Sequence, residues 1–336
     1  MKIIALSQSE IKKVLEFDKV IEGVKSVYIQ KSDGKTSVWP SIEYHFDEEK
    51  AVMDIRSGYV MGEKLHGAKI LNNFPLNKDL GIPSFSGLLL VFDSKTGVPL
   101  GVMDASFVTS MRTGAAAALG VKALARKNSK NLLLAGAGRQ AFYMLAATLI
   151  EMPQIENIRV IDPIDYENAV KFTGDIAGRL KDINIEVNDK VFIPVNDMPA
   201  VLQDTDVVIT ITRATSPIIK KEWVKPGTHF SCIGADMIGK EEIDPEIFRN
   251  ARSFADDIKQ CTSFGEMEIP YKMGIITKES IIGELGEVLS GKKEGRLSDD
   301  NITVFDATGL ALLDLVTGKV AIDLAKEKGL GNIVEI

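Results

Sequence analysis

Two cysteines in 336 residues are too few for a disulfide framework. Cys232 and Cys261 also form no metal-spaced cluster with each other or with the scattered His45, His66 and His229. No metal is therefore expected, and a reducing compartment, the cytoplasm, is the simple expectation. No basic segment followed by an apolar stretch opens the sequence, so a secretory signal is not expected. Apolar runs stop at strand length, well short of the ~20 residues that cross a bilayer, so no membrane partner is expected. Positive charge is not in excess: 40 lysines and arginines against 47 acids leave a net charge of −7, which argues against a nucleic-acid partner. Repeats and low-complexity segments are absent. What is present is an ordinary globular composition, 45% hydrophobic and 26% charged. The chain is long enough for two domains and for a core that needs no cross-links.

The chain has two regions of different rhythm. Residues 3–6 predict a short strand, and Ser7 with Glu10 predicts a capping box at the start of the helix that follows. Val20, Ile21, Val24 and Val27 recur at helical spacing between Asp18 and about Gln30. From about residue 36 to 104 the pattern turns strand-like. Its better strands are 65–71, 88–92 and 100–103, separated by turns at Asp79-Leu80-Gly81 and Ser94-Lys95-Thr96-Gly97. A long helix of small residues spans 105–125. Strands and helices then alternate. Strands are predicted at 131–135, 158–161, 183–187, 207–211, 229–233 and 253–256, with helices after the first two. A strand at 303–305 and a helix from about 309 to 326 follow. Such alternation predicts an α/β architecture, a parallel sheet covered on both faces.

Gly136-Ala137-Gly138-Arg139-Gln140-Ala141 sits between the apolar strand at 131–135 and a helix pattern. There Gly136 permits a tight turn, Gly138 lets the backbone approach a pyrophosphate, and Ala141 lets helix and strand pack closely. The helix N-terminus adds free amides and partial positive charge. Asp162 ends the next strand, where an acid accepts the adenosine ribose hydroxyls and repels a 2′-phosphate. No lysine or arginine stands between Ile161 and Val170. NAD is therefore the expected cofactor, ahead of NADP. A plain strand-to-helix turn with an incidental acid would use the same residues, but strand, turn, helix, strand and acid all agree on the dinucleotide.

Lys69 breaks the apolar alternation of its strand, and Arg112 lies among the small residues of the long helix. Such cations are rarely buried without a partner. A substrate carboxylate would pair them, bidentately at Arg112. A strand-edge lysine and a helix arginine in solvent or in a salt bridge fit the pattern as well. Asp236 follows the strand predicted at 229–233, on the side where ligands bind in such sheets, and suits acid–base work. An Asx turn or a helix cap would also place an aspartate there.

Several segments together resemble the ornithine cyclodeaminase/μ-crystallin family, most nearly its archaeal alanine dehydrogenase branch. They are Val102-Met103-Asp104-Ala105, Met111-Arg112-Thr113-Gly114-Ala115-Ala116, the glycine turn, Glu222-Trp223-Val224-Lys225-Pro226-Gly227-Thr228-His229, Gly234-Ala235-Asp236 and Phe305-Asp306-Ala307-Thr308-Gly309-Leu310-Ala311. They span nearly the whole chain, and Arg-Thr-Gly-Ala-Ala followed at this distance by Gly-x-Gly-x-Gln-Ala is highly specific. The resemblance implies a homodimer of two-domain α/β chains. A substrate-binding and dimerisation domain, 1–115 plus 308–336, would carry an inserted doubly wound NAD-binding Rossmann domain, 116–307. It implies that Lys69 and Arg112 hold the substrate carboxylate, with Lys69 near the reacting carbon, and that Asp236 handles a proton or activates water. It implies cofactor contacts at Thr113, Gly136, Ala137, Gly138, Arg139, Gln140, Asp162, Thr210, Thr212 and Ala235.

Two departures fall on the substrate side. Where relatives carry a further cation shortly after a proline, this chain has Trp39-Pro40-Ser41-Ile42, and Arg56 is the nearest replacement as a substrate-binding residue. Where relatives have Met-Pro-Ala, it has Arg56-Ser57-Gly58-Tyr59. The activity implied is NAD-dependent chemistry on the CH–NH2 or C=N group of a small amino or imino acid, of the alanine dehydrogenase or ketimine reductase type. Two other readings stay open. One is an ornithine cyclodeaminase-type ammonia lyase giving proline, which needs a carboxylate such as Glu63 or Asp54 for the distal amine. The other is a non-catalytic small-molecule or NAD-binding protein.

Overall fold

Ser7 opens the first helix as its sequence dictates. Its hydroxyl accepts from the Glu10 amide at 3.3 Å and the Glu10 carboxylate accepts from the Ser7 amide at 2.8 Å, which satisfies two amides that a helix start leaves free. The helix Gln8–Val14 follows, then Phe17–Ser32, whose Val20, Ile21, Val24 and Val27 form its buried stripe. The computed structural model describes all 336 residues. They divide into two units, Met1–Arg112 with Leu310–Ile336, and Thr113–Gly309. The first boundary lies at Arg112/Thr113 rather than after residue 115. Gly114 packs with the second unit, where a Cβ on it would lie 2.3 Å from the Tyr143 carbonyl oxygen.

The first unit is built on one mixed sheet. Its strand order is Asn332–Glu335, Lys2–Leu6, Pro99–Asp104, Phe85–Asp93, Leu65–Asn73, Ala51–Val60 and Thr36–Val38, with Ile42–Phe46 also pairing with Ala51–Val60. The Lys2–Leu6 and Pro99–Asp104 pair is parallel, and the other ladders are antiparallel. Alternation along the strands divides the sheet into two faces. Arg56, Lys69, Leu89 and Met103 form one cross-strand row, and Ile42, Ile55, Ile70 and Leu88 form another on the opposite face. The helix Ala311–Glu327 packs against Phe17–Ser32 and against the central strands. The strands Thr36–Val38, Ile42–Phe46, Ala51–Val60 and Asn332–Glu335 add to those expected from the sequence. Met53, Ile55 and Tyr59 alternate with Asp54, Arg56 and Gly58 along Ala51–Val60, and its register on both neighbours defines the strand.

The second unit is a doubly wound α/β fold. Its eight-stranded sheet is parallel throughout, in the order Val191–Pro194, Asn157–Ile161, Asn131–Ala135, Val207–Thr210, His229–Cys232, Thr303–Asp306, Arg252–Ala255 and Gly283–Glu284. Leu133, Val208, Phe230 and Val304 are register partners across four adjacent strands, and all four are fully buried. The order reverses between Asn131–Ala135 and Val207–Thr210, the kind of switch point at whose carboxyl end such sheets bind ligands. The strand expected at 183–187 is not there. Asn184 takes a left-handed φ of 61°, and the amides of Ile183 and Ile185 both donate to the Leu180 carbonyl. Those residues end the helix Tyr166–Lys181 instead. The third strand is Val191–Pro194, which pairs in parallel with Asn157–Ile161.

Candidate active site

In the first unit the antiparallel register puts Lys69 directly opposite Arg56 on the neighbouring strand. Lys69 is 2% exposed and Arg112 7%. The carboxylate between them belongs to the protein itself: Asp314, fully buried in the helix Ala311–Glu327. Lys69 Nζ donates to Asp314 Oδ2 at 2.8 Å, and Arg112 Nε donates to Oδ1 at 3.2 Å. The Thr109 hydroxyl donates to Oδ1 at 3.1 Å, and Lys69 Nζ lies 3.4 Å from that hydroxyl. Burial pushes the Asp314 carboxyl up, but Arg112 and Lys69 beside it outweigh this and hold it below the usual carboxylate range. Burial pushes Lys69 down to about 8 against the pull of Asp314, and Arg112 and Arg56 add to the depression. Arg56 Nε donates to Asp54 at 2.7 Å. Two cations thus face one buried carboxylate, and the group keeps a net positive charge.

In the second unit the glycine turn leaves the Asn131–Ala135 strand as its sequence requires. Gly136 has φ 112°, and a Cβ on it would lie 2.6 Å from the Ile211 carbonyl oxygen, so no other residue fits without strain. Gly138 is exposed, and a Cβ on it would meet nothing within 4 Å. The helix Ala141–Glu151 starts at Gln140 with no side chain capping it; the Ala141 amide donates to the Gly138 carbonyl at 3.1 Å and the Tyr143 amide to the Gln140 carbonyl at 3.0 Å. Ala137 and Arg139 lie on the turn. Asp162 stands across it: its carboxylate accepts from the Ala137 amide at 3.3 Å and from the Ile164 and Asp165 amides at 3.1 Å each. A bare turn, an uncapped helix start and an acid at the end of the second strand fit a dinucleotide in which Asp162 faces the adenosine ribose.

Thr210 and Thr212 lie where the Val207–Thr210 strand gives way to its loop, and Ala235 and Asp236 lie just past His229–Cys232. The Thr210 hydroxyl is spent within the protein: it is fully buried and donates to Glu242 at 2.6 Å. Thr212 donates to Glu242 through both its amide and its hydroxyl. The Asp236 side chain is 46% exposed and paired with Lys240, which also donates to the Gly234 carbonyl. His229 is not part of this constellation. It is fully buried between the hydroxyls of Thr303 and Ser231, and burial holds it neutral. Neither cysteine takes part in a disulfide; both are free and buried. No group of three or more histidine, cysteine or acidic side chains is arranged to hold a metal ion.

The structure thus brings Lys69, Arg112 and Arg56 to one face of the first unit. It gathers the glycine turn, Asp162, Thr212, Ala235 and Asp236 at the carboxyl ends of the strands of the second. Thr113 opens that second unit, partly buried. Two residues were missed. Asp314 had a signal, a lone acid in Ala311-Leu312-Leu313-Asp314-Leu315-Val316, since an acid is rarely buried unpaired. Glu242 had none, standing in the polar run Lys240-Glu241-Glu242.

The sequence model of the ornithine cyclodeaminase/mu-crystallin family matches residues 1–329. The chain is 33% identical over 335 residues to the alanine dehydrogenase of Archaeoglobus fulgidus, covering 100% of this chain and 99% of that one. A solved archaeal alanine dehydrogenase, described as a dimer with bound NAD, superposes with a TM-score of 0.89 at 33% identity over the full length of both chains. The Δ1-pyrroline-2-carboxylate reductase of Thermococcus litoralis, solved with NADH and L-proline, superposes with a TM-score of 0.90 at 31% identity, covering 99% of this chain and 100% of that one.

Proposed function

The chain belongs to the ornithine cyclodeaminase/mu-crystallin family, and from that premise we propose that it is an NAD-dependent oxidoreductase acting on the CH–NH2 or C=N group of a small amino or imino acid. The observation that carries this reading is the buried Lys69–Asp314–Arg112 group. Asp314 neutralises one cation and leaves attraction for one more carboxylate, that of the substrate. It engages Arg112 through Nε, which leaves the paired terminal nitrogens for a bidentate carboxylate. Arg56, register-paired with Lys69, stands beside this group with Asp54 as its own counter-ion. NAD, when bound, supplies the hydride acceptor. Gly136, Ala137, Gly138, Arg139 and Gln140 would hold its pyrophosphate and Asp162 its adenosine ribose. Asp236 would take the proton from the water that attacks the imine, so that ammonia and a 2-oxo acid leave. The reverse direction is reductive amination, or reduction of a cyclic imine.

Absorbance at 340 nm tests this directly. A steady rise is expected with NAD and one small L-amino acid, or a fall with NADH and a 2-oxo acid plus ammonia, or a cyclic imine. No turnover with any of these would overturn the reading. Asp236→Asn is expected to lower kcat by at least ~10²-fold while NADH still binds, and unaltered turnover would remove Asp236 from the chemistry. The cyclodeaminase reading is less well supported, because its candidate acids are engaged elsewhere: Asp54 by Arg56, and Glu63 as acceptor from Gln30 at 3.2 Å.

The row Ile42–Ile55–Ile70–Leu88 supports a homodimer. Ile42 is 57% exposed and Leu88 53%, an apolar strip that a second copy would cover. Two free buried cysteines, and no helix long and apolar enough to cross a membrane, are compatible with a cytoplasmic location.

A further inference from the structure

One buried carboxylate joins two loops at the carboxyl end of the parallel sheet. Glu242 is fully buried, and its oxygens accept four hydrogen bonds. They come from the Thr210 hydroxyl at 2.6 Å, the Thr212 amide at 2.6 Å, the Thr212 hydroxyl at 2.8 Å and the Gly234 amide at 2.9 Å. Thr210 and Thr212 follow one strand and Gly234 follows its register-paired neighbour, so the carboxylate fastens the loop after Val207–Thr210 to the loop after His229–Cys232. The fit is tight: a Cβ on Gly234 would lie 2.5 Å from Glu242 Oε1 and 2.6 Å from the Thr212 carbonyl oxygen. Glu242 is itself held by Glu266, whose Oε1 accepts from the Glu242 amide at 2.8 Å and the Ile243 amide at 2.7 Å. Glu266 Oε2 and Asp306 Oδ1 are buried without a hydrogen-bond partner. Burial pushes all three carboxyls above the usual range, Glu266 and Asp306 well above it, and hydrogen-bond donors oppose the effect at each. All four groups that meet the Glu242 oxygens are donors.

We propose that Glu242 is a positioning residue for the nicotinamide end of the cofactor, acting through Thr212 and the segment Gly234-Ala235-Asp236. This rests on the dinucleotide reading given above. The adenosine and pyrophosphate end is assigned to Gly136–Gln140 and Asp162 and does not involve Glu242, so the two halves of the cofactor respond differently to its loss.

Glu242→Gln preserves the side-chain volume but sets an NH2 group against donors that now face an oxygen. In the full-length chain, calorimetry with NADH and with ADP-ribose, which lacks the nicotinamide, separates the two ends. NADH affinity is expected to fall about tenfold and ADP-ribose affinity to stay within about twofold. The kcat is expected to fall about tenfold, with the KM for the amino or imino acid unchanged. Thr210→Val removes one donor and is expected to act in the same sense but more weakly. Equal losses for NADH and ADP-ribose, no loss for either, or failure of both variants to fold would each overturn the role of Glu242. A wild-type chain that binds neither ligand overturns the dinucleotide reading itself, which is a separate failure.

Discussion

Lys69 and Arg112 are cations in a protein interior, and what faces them sets their cost. Asp314 supplies the compensation, so removing it leaves two buried charges uncompensated. Asp314→Ala is expected to lower stability by about 3–5 kcal/mol, the usual range for breaking a buried ion pair, measured by urea unfolding. A loss under about 1 kcal/mol would mean that the cations find water or another partner. Lys69 also gives the site a pH limit. Its folded pKa of about 8 means that it is charged below that value and neutral above it. Affinity for a non-reacting small carboxylate is therefore expected to fall as pH rises through about 8. Lys69→Arg, which stays charged, should remove the falling limb, and a limb that persists in Lys69→Arg belongs to another group. Lys69 and Arg112 were legible in the sequence because a cation in an apolar pattern is conspicuous. Their partner was not, because Asp314 lies 245 residues from Lys69 and only packing of the last helix on the sheet brings them together.

At the scale of the element, the strand–turn–helix around Gly136 holds one glycine that the fold requires and one that the fold leaves open. Gly136 is fixed by its φ of 112° and by Ile211, whereas Gly138 has open space where a side chain would go. Gly138→Val is therefore expected to leave the melting temperature within a few degrees, since ordinary surface substitutions change stability by under about 0.5 kcal/mol. It is expected to weaken NADH more than about tenfold, because the branched side chain fills the space read as the pyrophosphate's. Unchanged NADH affinity would detach Gly138 from the cofactor. This element was legible because its residues are contiguous and each has a local reason. The strand expected at 183–187 shows where local reasoning stops. Ile183, Ile185 and Val187 alternate as a strand would, but the carbonyls left free at the end of the preceding helix took the amides of Ile183 and Ile185.

For the whole molecule, pH couples to stability through the buried acids of the second unit. Glu266 and Asp306 have folded pKa values raised well above their ordinary ones. The folded chain therefore holds protons that the unfolded chain has already lost, and this contribution is full below the unfolded carboxylate value. It declines as pH rises toward the raised folded values. The melting temperature is expected to fall from about pH 5 toward alkaline pH, and Glu266→Gln, which carries no titrating proton, should flatten that fall; an unchanged slope would place the titrating group elsewhere. Association belongs to this scale as well. Light scattering is expected to give twice the 36.7 kDa chain mass, and Leu88→Lys, on the exposed apolar row, is expected to shift the protein toward monomer. A monomeric wild type would leave that row without the role proposed for it.

By itself the sequence determined what contiguous residues can determine: the capped first helix, the long small-residue helix, most strands of the parallel sheet, the glycine turn and the acid that follows it. Each of these depends on neighbours within one or two turns of chain, where spacing and residue type carry the physics directly. Only the tertiary structure decided that Asp314 pairs with both Lys69 and Arg112, that Arg56 stands opposite Lys69, and that Glu242 joins two loops. Those contacts depend on strand register and helix packing. Burial then lowered the pKa of Lys69 to about 8 and raised those of Glu266 and Asp306, because the cost of charge in a protein interior is set by surroundings that no local stretch of sequence contains.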